Sequence, residues 1–446
     1  MRARISISII LLSLVIGVLM GKETTLISTK IAGVEIPVIY ERSALIPAGK
    51  VRLIFQGAGN VQDGALIGRS ALLEELLNRG SKSRGNVGFA EALEREAISL
   101  DVSSGLQTLS FGLDFLSEAR DSALVLLGEL VKDPNFTAAE LKKAKTAIIA
   151  RILANQNDYD YRAEELLDSV LFADTPLAQS KLGSKEDIER LSLKDIKQAY
   201  ADALQLKRLI IIIGGDVELE EITRALDSML SHLPHGQPYE KPTFQVRENP
   251  ESKSDYAPTQ QAYIYFGSPL YVGDLAKERY LARVAAFILG SGGFGSRILE
   301  EVRVKRGLAY GAYIRFYPST YTSYTSGYLQ TKLESQDEAI AVVKQTIAGF
   351  VKNGATQAEL DAAKKFLLGS EPLGSETLSQ RLTRAFSDYY VGLGVGFSQK
   401  ELDQIRTLDL ATLNAYIKAH SEIEKLSFGI ITAPESSPKT KNQSKN

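Results

Sequence analysis

Residues 137–145 read TAAELKKAK and residues 356–364 read TQAELDAAK, one T-x-A-E-L-x-x-A-K frame met twice at a displacement of 219 positions. Val-Lys pairs precede both copies, at Val131-Lys132 and Val351-Lys352, each after an amphipathic helical run. The threonine predicts a helix N-cap in each copy, with Glu140 and Glu359 at N3 completing a capping box. Two apolar runs of strand length, RLIIIIGGD (208–216) and KLSFGIITA (425–433), repeat at nearly the same displacement, 217. A chain that says the same thing twice in register folds as two copies of one architecture. Its 446 residues leave room for two domains of ordinary size.

Within each half strands come first, then helices, then a last strand. In the first half ISTKIAGVEIPVIYER and KVRLIFQGAGN read as strands, 65–79 as a helix and 98–115 as a hairpin, with 137–172 and 186–204 helical. This predicts an α+β protein of two duplicated domains, each an antiparallel-rich sheet with helices packed on one face. The expected boundaries are 22–233 and 261–435, joined by the Pro-rich, charged stretch 234–260 and followed by an apolar-poor, disordered tail, 436–446.

Residues 1–21 stand apart. Arg2 and Arg4 precede ISISIILLSLVIGVLMG, an apolar run of signal-peptide length with no clean small-x-small cleavage site before Gly21. Cleaved export, to a bacterial-type periplasm, is the favoured expectation and an uncut N-terminal anchor the alternative. A formal charge of −2, from 52 basic and 54 acidic side chains, offers no field to recruit nucleic acid or an anionic membrane. With no cysteine there is no disulfide framework, thiolate metal site or thiol nucleophile.

Residues 68–85, GRSALLEELLNRGSKSRG, have the helical shape of a zinc-peptidase motif without a histidine. The chain has three histidines in all. His232 and His235 sit at the proline-flanked linker and His420 near the C-terminal end, so none of them builds a three-ligand zinc cage. A carboxylate site at Glu74 and Glu75 would suit magnesium or calcium better than zinc.

The other informative run is LGSGGFGSRILEEVRVKRGLAYGAYIRF, 289–316. Its glycines lack the G-x-x-x-x-G-K-[ST] frame of a phosphate loop. On residues alone, Arg303 is a helix-surface charge and Tyr310 a strand residue.

The order of strand pair, L-x-E-x-L-x-x-x-G helix, hairpin, capped helix and final strand, present twice over about 27–435, resembles the insulinase/pitrilysin family of zinc peptidases, processing peptidases included. The resemblance implies half of a clam-like chamber. In that family an inverted H-x-x-E-H motif binds zinc with a glutamate about 76 residues later. Laid on this chain, the histidine positions are Ala71 and Glu75, the base position is Glu74, and the third ligand position is Arg151. No metal is therefore expected in this chain. The resemblance further implies that an Arg and a Tyr in the C-terminal half, here Arg303 and Tyr310, hold the scissile carbonyl or the tetrahedral intermediate. Two expectations follow about the site: Arg151 replaces the lost ion and pairs with Glu75 or Glu74, and zinc is supplied by a homologous partner subunit acting with this chain on peptides or unfolded segments. The alternatives are a catalytically inactive structural or peptide-binding scaffold of the same fold, and an autonomous peptidase with unusual ligands.

Overall fold

A computed structural model describes residues 23–434, so the expected leader and tail lie outside the described residues. The N-terminal sheet contains β1 (Thr25–Ile31), β2 (Val34–Arg42), β3 (Ala48–Gln56), β4 (Ser99–Ser104), β5 (Thr108–Leu116) and β6 (Leu209–Gly215), in the order β1-β2-β6-β3-β5-β4. Its pairs are antiparallel except β2 with β6. The C-terminal sheet contains β7 (Ser252–Tyr256), β8 (Gln261–Pro269), β9 (Ala309–Tyr317), β10 (Tyr324–Lys332) and β11 (Ser427–Thr432), in the order β7-β11-β8-β10-β9. Here β11 with β7 is the parallel pair.

The helices are α1 (Arg69–Leu77), α2 (Gly85–Arg95), α3 (Arg120–Lys132), α4 (Ala138–Asn155), α5 (Tyr159–Leu171), α6 (Lys185–Arg190), α7 (Leu193–Ala203) and α8 (Leu219–Leu230) in the first half. In the second they are α9 (Leu275–Ala286), α10 (Arg297–Leu299), α11 (Gln336–Asn353), α12 (Gln357–Gly369), α13 (Leu378–Tyr390), α14 (Phe397–Thr407) and α15 (Leu410–Ala419). Among the described residues no helix is long and apolar enough to cross a membrane. The α+β class and the duplication expected from the sequence are both present.

The isoleucine run of β6 shows how these sheets are covered. Successive side chains point to opposite faces, so Ile211 and Ile213 enter the main core with α1 and α3, while Ile210 and Ile212 face the other way. A strand apolar on both faces needs a layer on each. The second layer is α13, whose Leu382 and Ala385 pack on Ile39, Ile54, Ile210 and Ile212. Burying a leucine this way stabilises by roughly 2 kcal/mol.

The C-terminal sheet repeats the arrangement with α5. Ala163 packs with Ile431, and Leu167 and Leu171 with Tyr265 and Val246. The helix lies so close that a β-carbon at Gly429 would fall 2.3 Å from both the Ala163 carbonyl oxygen and the Leu167 nitrogen. Only glycine fits there. The two covering helices, 159–171 and 378–390, are themselves 219 positions apart, the displacement of the repeat.

The compact units are therefore not consecutive halves. Among the described residues one comprises 23–152, Ser180–Lys241 and Ser370–Lys400; the other Leu153–Gln179, Pro242–Gly369 and 401–434. Each sheet is covered by a helix that the chain order assigns to the opposite half. The 234–260 stretch read as a linker also carries β7, which continues the second sheet beside β11, and Val246, which packs against α5.

The capping boxes differ between the copies. Thr356 and Glu359 form the reciprocal pair, with Thr356 N–H donating to Glu359 Oε2 at 2.7 Å and Glu359 N–H to Thr356 Oγ1 at 3.3 Å. In the first copy Thr137 Oγ1 accepts from Glu140 N–H at 3.2 Å, but the Glu140 carboxylate turns to Lys143 and Arg79 instead.

Candidate functional site

Helix α1 is fixed at both ends. At its start buried Asp63 accepts from the Ser70 N–H and hydroxyl at 3.0 and 2.6 Å, with Arg69 at 3.6 Å. At its end Gly80 has φ +78°, and a β-carbon there would lie 2.5 Å from the Phe89 Cβ, so the glycine is required. Leu72, Leu73, Leu76 and Leu77 face the core, which leaves Glu74 and Glu75 half-buried on the remaining side.

Glu74 Oε2 accepts from the Ser104 N–H of edge strand β4 at 2.8 Å. Burial pushes its carboxyl above the ordinary value, and the Ser104 hydrogen bond and the charge of Arg151 only partly oppose this. Glu75 is held by Arg79, one helical turn on, at 2.8 Å. Arg79 also reaches Glu140 at 3.4 Å, and Glu140 is held below its ordinary value by Lys143 at 2.7 Å and by Arg79. Ala71 is buried and carries no donor atom.

Arg151 does not take the place expected for it. Its side chain is exposed and makes no ion pair with Glu74 or Glu75, acting on Glu74 only through its charge. The guanidinium that neutralises Glu75 is Arg79, because a partner four residues on, in the turn that ends α1, meets it at less conformational cost than a residue from α4. The sequence carried that signal in the E-x-x-x-R spacing of Glu75 and Arg79.

The second cluster is on the other unit. After α9 the backbone widens into i→i+5 turns, with Gly292 N–H bonded to Phe287 O at 3.1 Å and Lys305 N–H to Glu300 O at 2.9 Å. Such turns are frequent at functional sites. Between them Gly293 and Gly295, both at positive φ, hold Phe294 out in solvent at 74 % exposure. Arg297 fastens the turn to the start of α12 by two hydrogen bonds to Glu359, at 2.7 and 2.8 Å, and one to Gly354 O at 2.8 Å. Burial alone would raise Glu359, but the Arg297 and Thr356 bonds prevail and leave it below its ordinary value.

Arg303 stands on the second widened turn with its guanidinium carbon 4.5 Å from the ring centre of Tyr310 and 4.9 Å from that of Phe294. Tyr310 is 86 % exposed. The structure thus brings Arg303 and Tyr310 together as a cation stacked between two rings, each contact contributing about 0.5–1 kcal/mol at an exposed site. Sequence reasoning missed Phe294, although a large apolar residue between two glycines was a signal that the turn displays it.

The remaining candidates are scattered. His232 is exposed at the end of α8 and its Nδ1 lies 2.9 Å from Met229 O, while His420 is buried with Nδ1 2.7 Å from Glu422. Among the described residues no group of three or more His, Cys, Asp or Glu side chains is placed to hold a metal ion. The tyrosines of 317–328 are mostly strand residues, Tyr317 and Tyr324 stacking at 4.7 Å where β9 and β10 meet.

Residues 38–185 match the description "Insulinase (Peptidase family M16)" and residues 190–367 match "Peptidase M16 inactive domain". The chain is 43% identical to the Non-peptidase homolog YmxG of Helicobacter pylori, over 95% of this chain and 98% of that protein. The chain belongs to the M16 insulinase family. It is also 21% identical to the uncharacterized zinc protease ML0855 of Mycobacterium leprae over 87% of each. Among solved structures, the peptidase M16 inactive domain from Pseudomonas fluorescens superposes with a TM-score of 0.83 at 24% identity, covering 93% of this chain and 99% of that one.

The M16 family implies a zinc ion at the α1 positions, and the residues present do not fit one. A hydrolytic zinc takes three protein ligands and keeps a water position open. Here one position has no donor atom, the second is a carboxylate already bound to a guanidinium, and the third is itself a guanidinium. Arg79 holds the Glu75 carboxylate, and the charge of Arg151 acts on Glu74. This M16 chain is a homologue of a member named as a non-peptidase.

Proposed function

We propose that this chain is the non-catalytic subunit of a two-subunit M16 metallopeptidase, exported to the periplasm, which supplies Arg303 and Tyr310 to a zinc site carried by a homologous partner. The reading rests on one contrast. Of the positions that would hold the metal one is alanine, one is a glutamate paired with Arg79 and one is an arginine, while Tyr310 stays exposed with the half-buried Arg303 over its ring.

The chemistry favours those two residue types. Attack of water on a peptide carbonyl puts negative charge on its oxygen, and a fixed guanidinium beside a phenolic hydroxyl lowers the energy of that charge. Arg303 lies against Phe294 and Tyr310, and its N–H groups would donate to such an oxygen. An extended peptide or unfolded segment is the matching substrate, since edge strands such as β4 accept one through main-chain hydrogen bonds with little demand on sequence. The name of the Helicobacter pylori relative, a non-peptidase homologue, agrees with a chain that does not cleave peptides alone.

Affinity capture of the tagged chain from its native source tests this. The expected result is a co-purifying homologous subunit with an intact H-x-x-E-H, a complex that holds zinc, and chelator-sensitive cleavage of an unfolded protein by the complex but not by either chain alone. Capture without a homologue, or a complex with no peptidase activity, would replace the proposal by the scaffold reading.

A further inference from the structure

The loop between β2 and β3, SALIP (43–47), carries two of the most exposed apolar side chains of the described chain, Leu45 at 75 % and Ile46 at 67 %. It is not a loose loop. Ser43 N–H bonds Gly215 O at 3.0 Å, Ala48 N–H bonds Ile46 O at 2.8 Å, and Ser117 N–H bonds Pro47 O at 2.9 Å, so both ends are tied to the sheet while the apolar tip stands clear. Leu116, 40 % exposed and paired with Ala48, adds apolar surface at the same end of the sheet.

The strand register says what lies beside this tip. Thr25 on β1 faces Tyr40 on β2, and the contact continues one residue further, with Thr24 Oγ1 donating to Glu41 Oε2 at 2.6 Å. In chain order Met20 precedes the Thr25–Tyr40 rung by as many residues as Leu45 follows it. The chain therefore enters β1, directly after the apolar run 5–21, at the sheet end where Leu45 and Ile46 project. That run is 17 residues long in the sequence, at the lower limit of what crosses a hydrocarbon core of about 30 Å. The arginines nearest the tip are paired, Arg42 with Glu218 at 2.5 Å and Arg120 with Asp121 at 2.9 Å, and Asp216, whose N–H bonds Ala48 O, adds a negative charge. What remains is an apolar point without a net cationic field, suited to the interface of a zwitterionic bilayer.

We propose that the Leu45–Ile46 tip is a membrane-interface contact that seats the N-terminal sheet on the bilayer into which the 5–21 run inserts. This rests on the reading of 1–21 as a retained anchor and is independent of the role given to Arg303 and Tyr310.

The chain has no tryptophan, so a single introduced one reports its own surroundings. The full chain carrying Leu45→Trp is reconstituted into phosphatidylcholine vesicles with and without lipids brominated near the headgroup. The control is Val87→Trp, 71 % exposed at the start of α2, near the Arg84–Glu129 pair and so by the opposite end of α3. The expected result is a blue-shifted emission and roughly twofold or greater quenching for Leu45→Trp and neither for Val87→Trp, with unchanged far-UV circular dichroism in both. Failure of the chain to remain with the vesicles overturns the anchor reading and the proposal with it. Stable association with Leu45→Trp unquenched overturns the tip contact alone, as does protection of that residue by a second copy or a bound protein in the absence of lipid.

Discussion

Arg381 on α13 and Glu41 on β2 give the sharpest test of how a late helix comes to cover the first sheet. Glu41 is 1 % exposed, and its Oε1 accepts from Arg381 Nε at 2.8 Å and Nη2 at 2.6 Å, while Oε2 takes the Thr24 hydroxyl at 2.6 Å. Arg381→Met keeps the length of the side chain and removes the charge, leaving a buried carboxylate with one hydroxyl. Breaking a buried pair from one side costs about 3–5 kcal/mol, whereas replacing both partners by neutral groups is close to neutral. The expected outcome in urea unfolding at neutral pH is a loss of about 3–5 kcal/mol for Arg381→Met and recovery of most of it in Arg381→Met with Glu41→Gln. A single-variant loss below about 1 kcal/mol, or a double variant as unstable as the single, would refute the claim that α13 is anchored to the N-terminal sheet by this pair.

Gly429→Ala should cost about 3 kcal/mol, toward the upper end for overpacking, because its β-carbon would meet α5 backbone rather than a movable side chain; a melting curve like wild type would contradict the close contact. Glu74→Gln should raise stability at pH 7. A carboxyl whose pKa is raised on folding binds its proton more tightly in the native state, so its contribution is lost as pH climbs through the folded value, and the variant's advantage should disappear below the unfolded value near pH 4. Denaturant midpoints at about pH 4 and pH 7 check the sign. In a mixed peptidase, Phe294→Ala should lower kcat/KM by about two- to fivefold, the loss of one exposed cation–π contact, with Arg303 still effective; a loss as large as that of Arg303 itself would mean that Phe294 does more than steady it.

The duplication, the α+β class and most elements were legible because periodicity and capping are local. TAAELKKAK and TQAELDAAK became helices at the predicted places, and the run LIIIIGG, 209–215, became a strand buried on both faces. That same burial was the one local hint that a covering helix is borrowed from the other half, since a strand apolar on both sides demands a second layer, but no local pattern says that the layer comes from residues 378–390. The covering contacts are long-range, and a single sequence does not display them. At the α1 site the loss of ligands was legible residue by residue, because alanine has no lone pair to offer. The arginine that neutralises Glu75 was legible only as the E-x-x-x-R spacing of Glu75 and Arg79, a local signal that laying the family motif onto Arg151 passes over. Around Arg303, the Phe294 stack depends on a turn geometry set by Gly293 and Gly295, which spacing alone left open.

If Arg303 acts at a metal that this chain does not hold, its removal must show in turnover and not in assembly. The most direct measurement is the rate of peptide cleavage when a zinc-bearing homologous subunit is titrated with the wild-type chain or with Arg303→Ala, complex formation being followed in parallel. Both chains are expected to associate equally, with the variant complex losing about a hundredfold or more in kcat, as when a donor to a developing oxyanion is removed. Equal turnover by the two complexes would contradict the role given to Arg303.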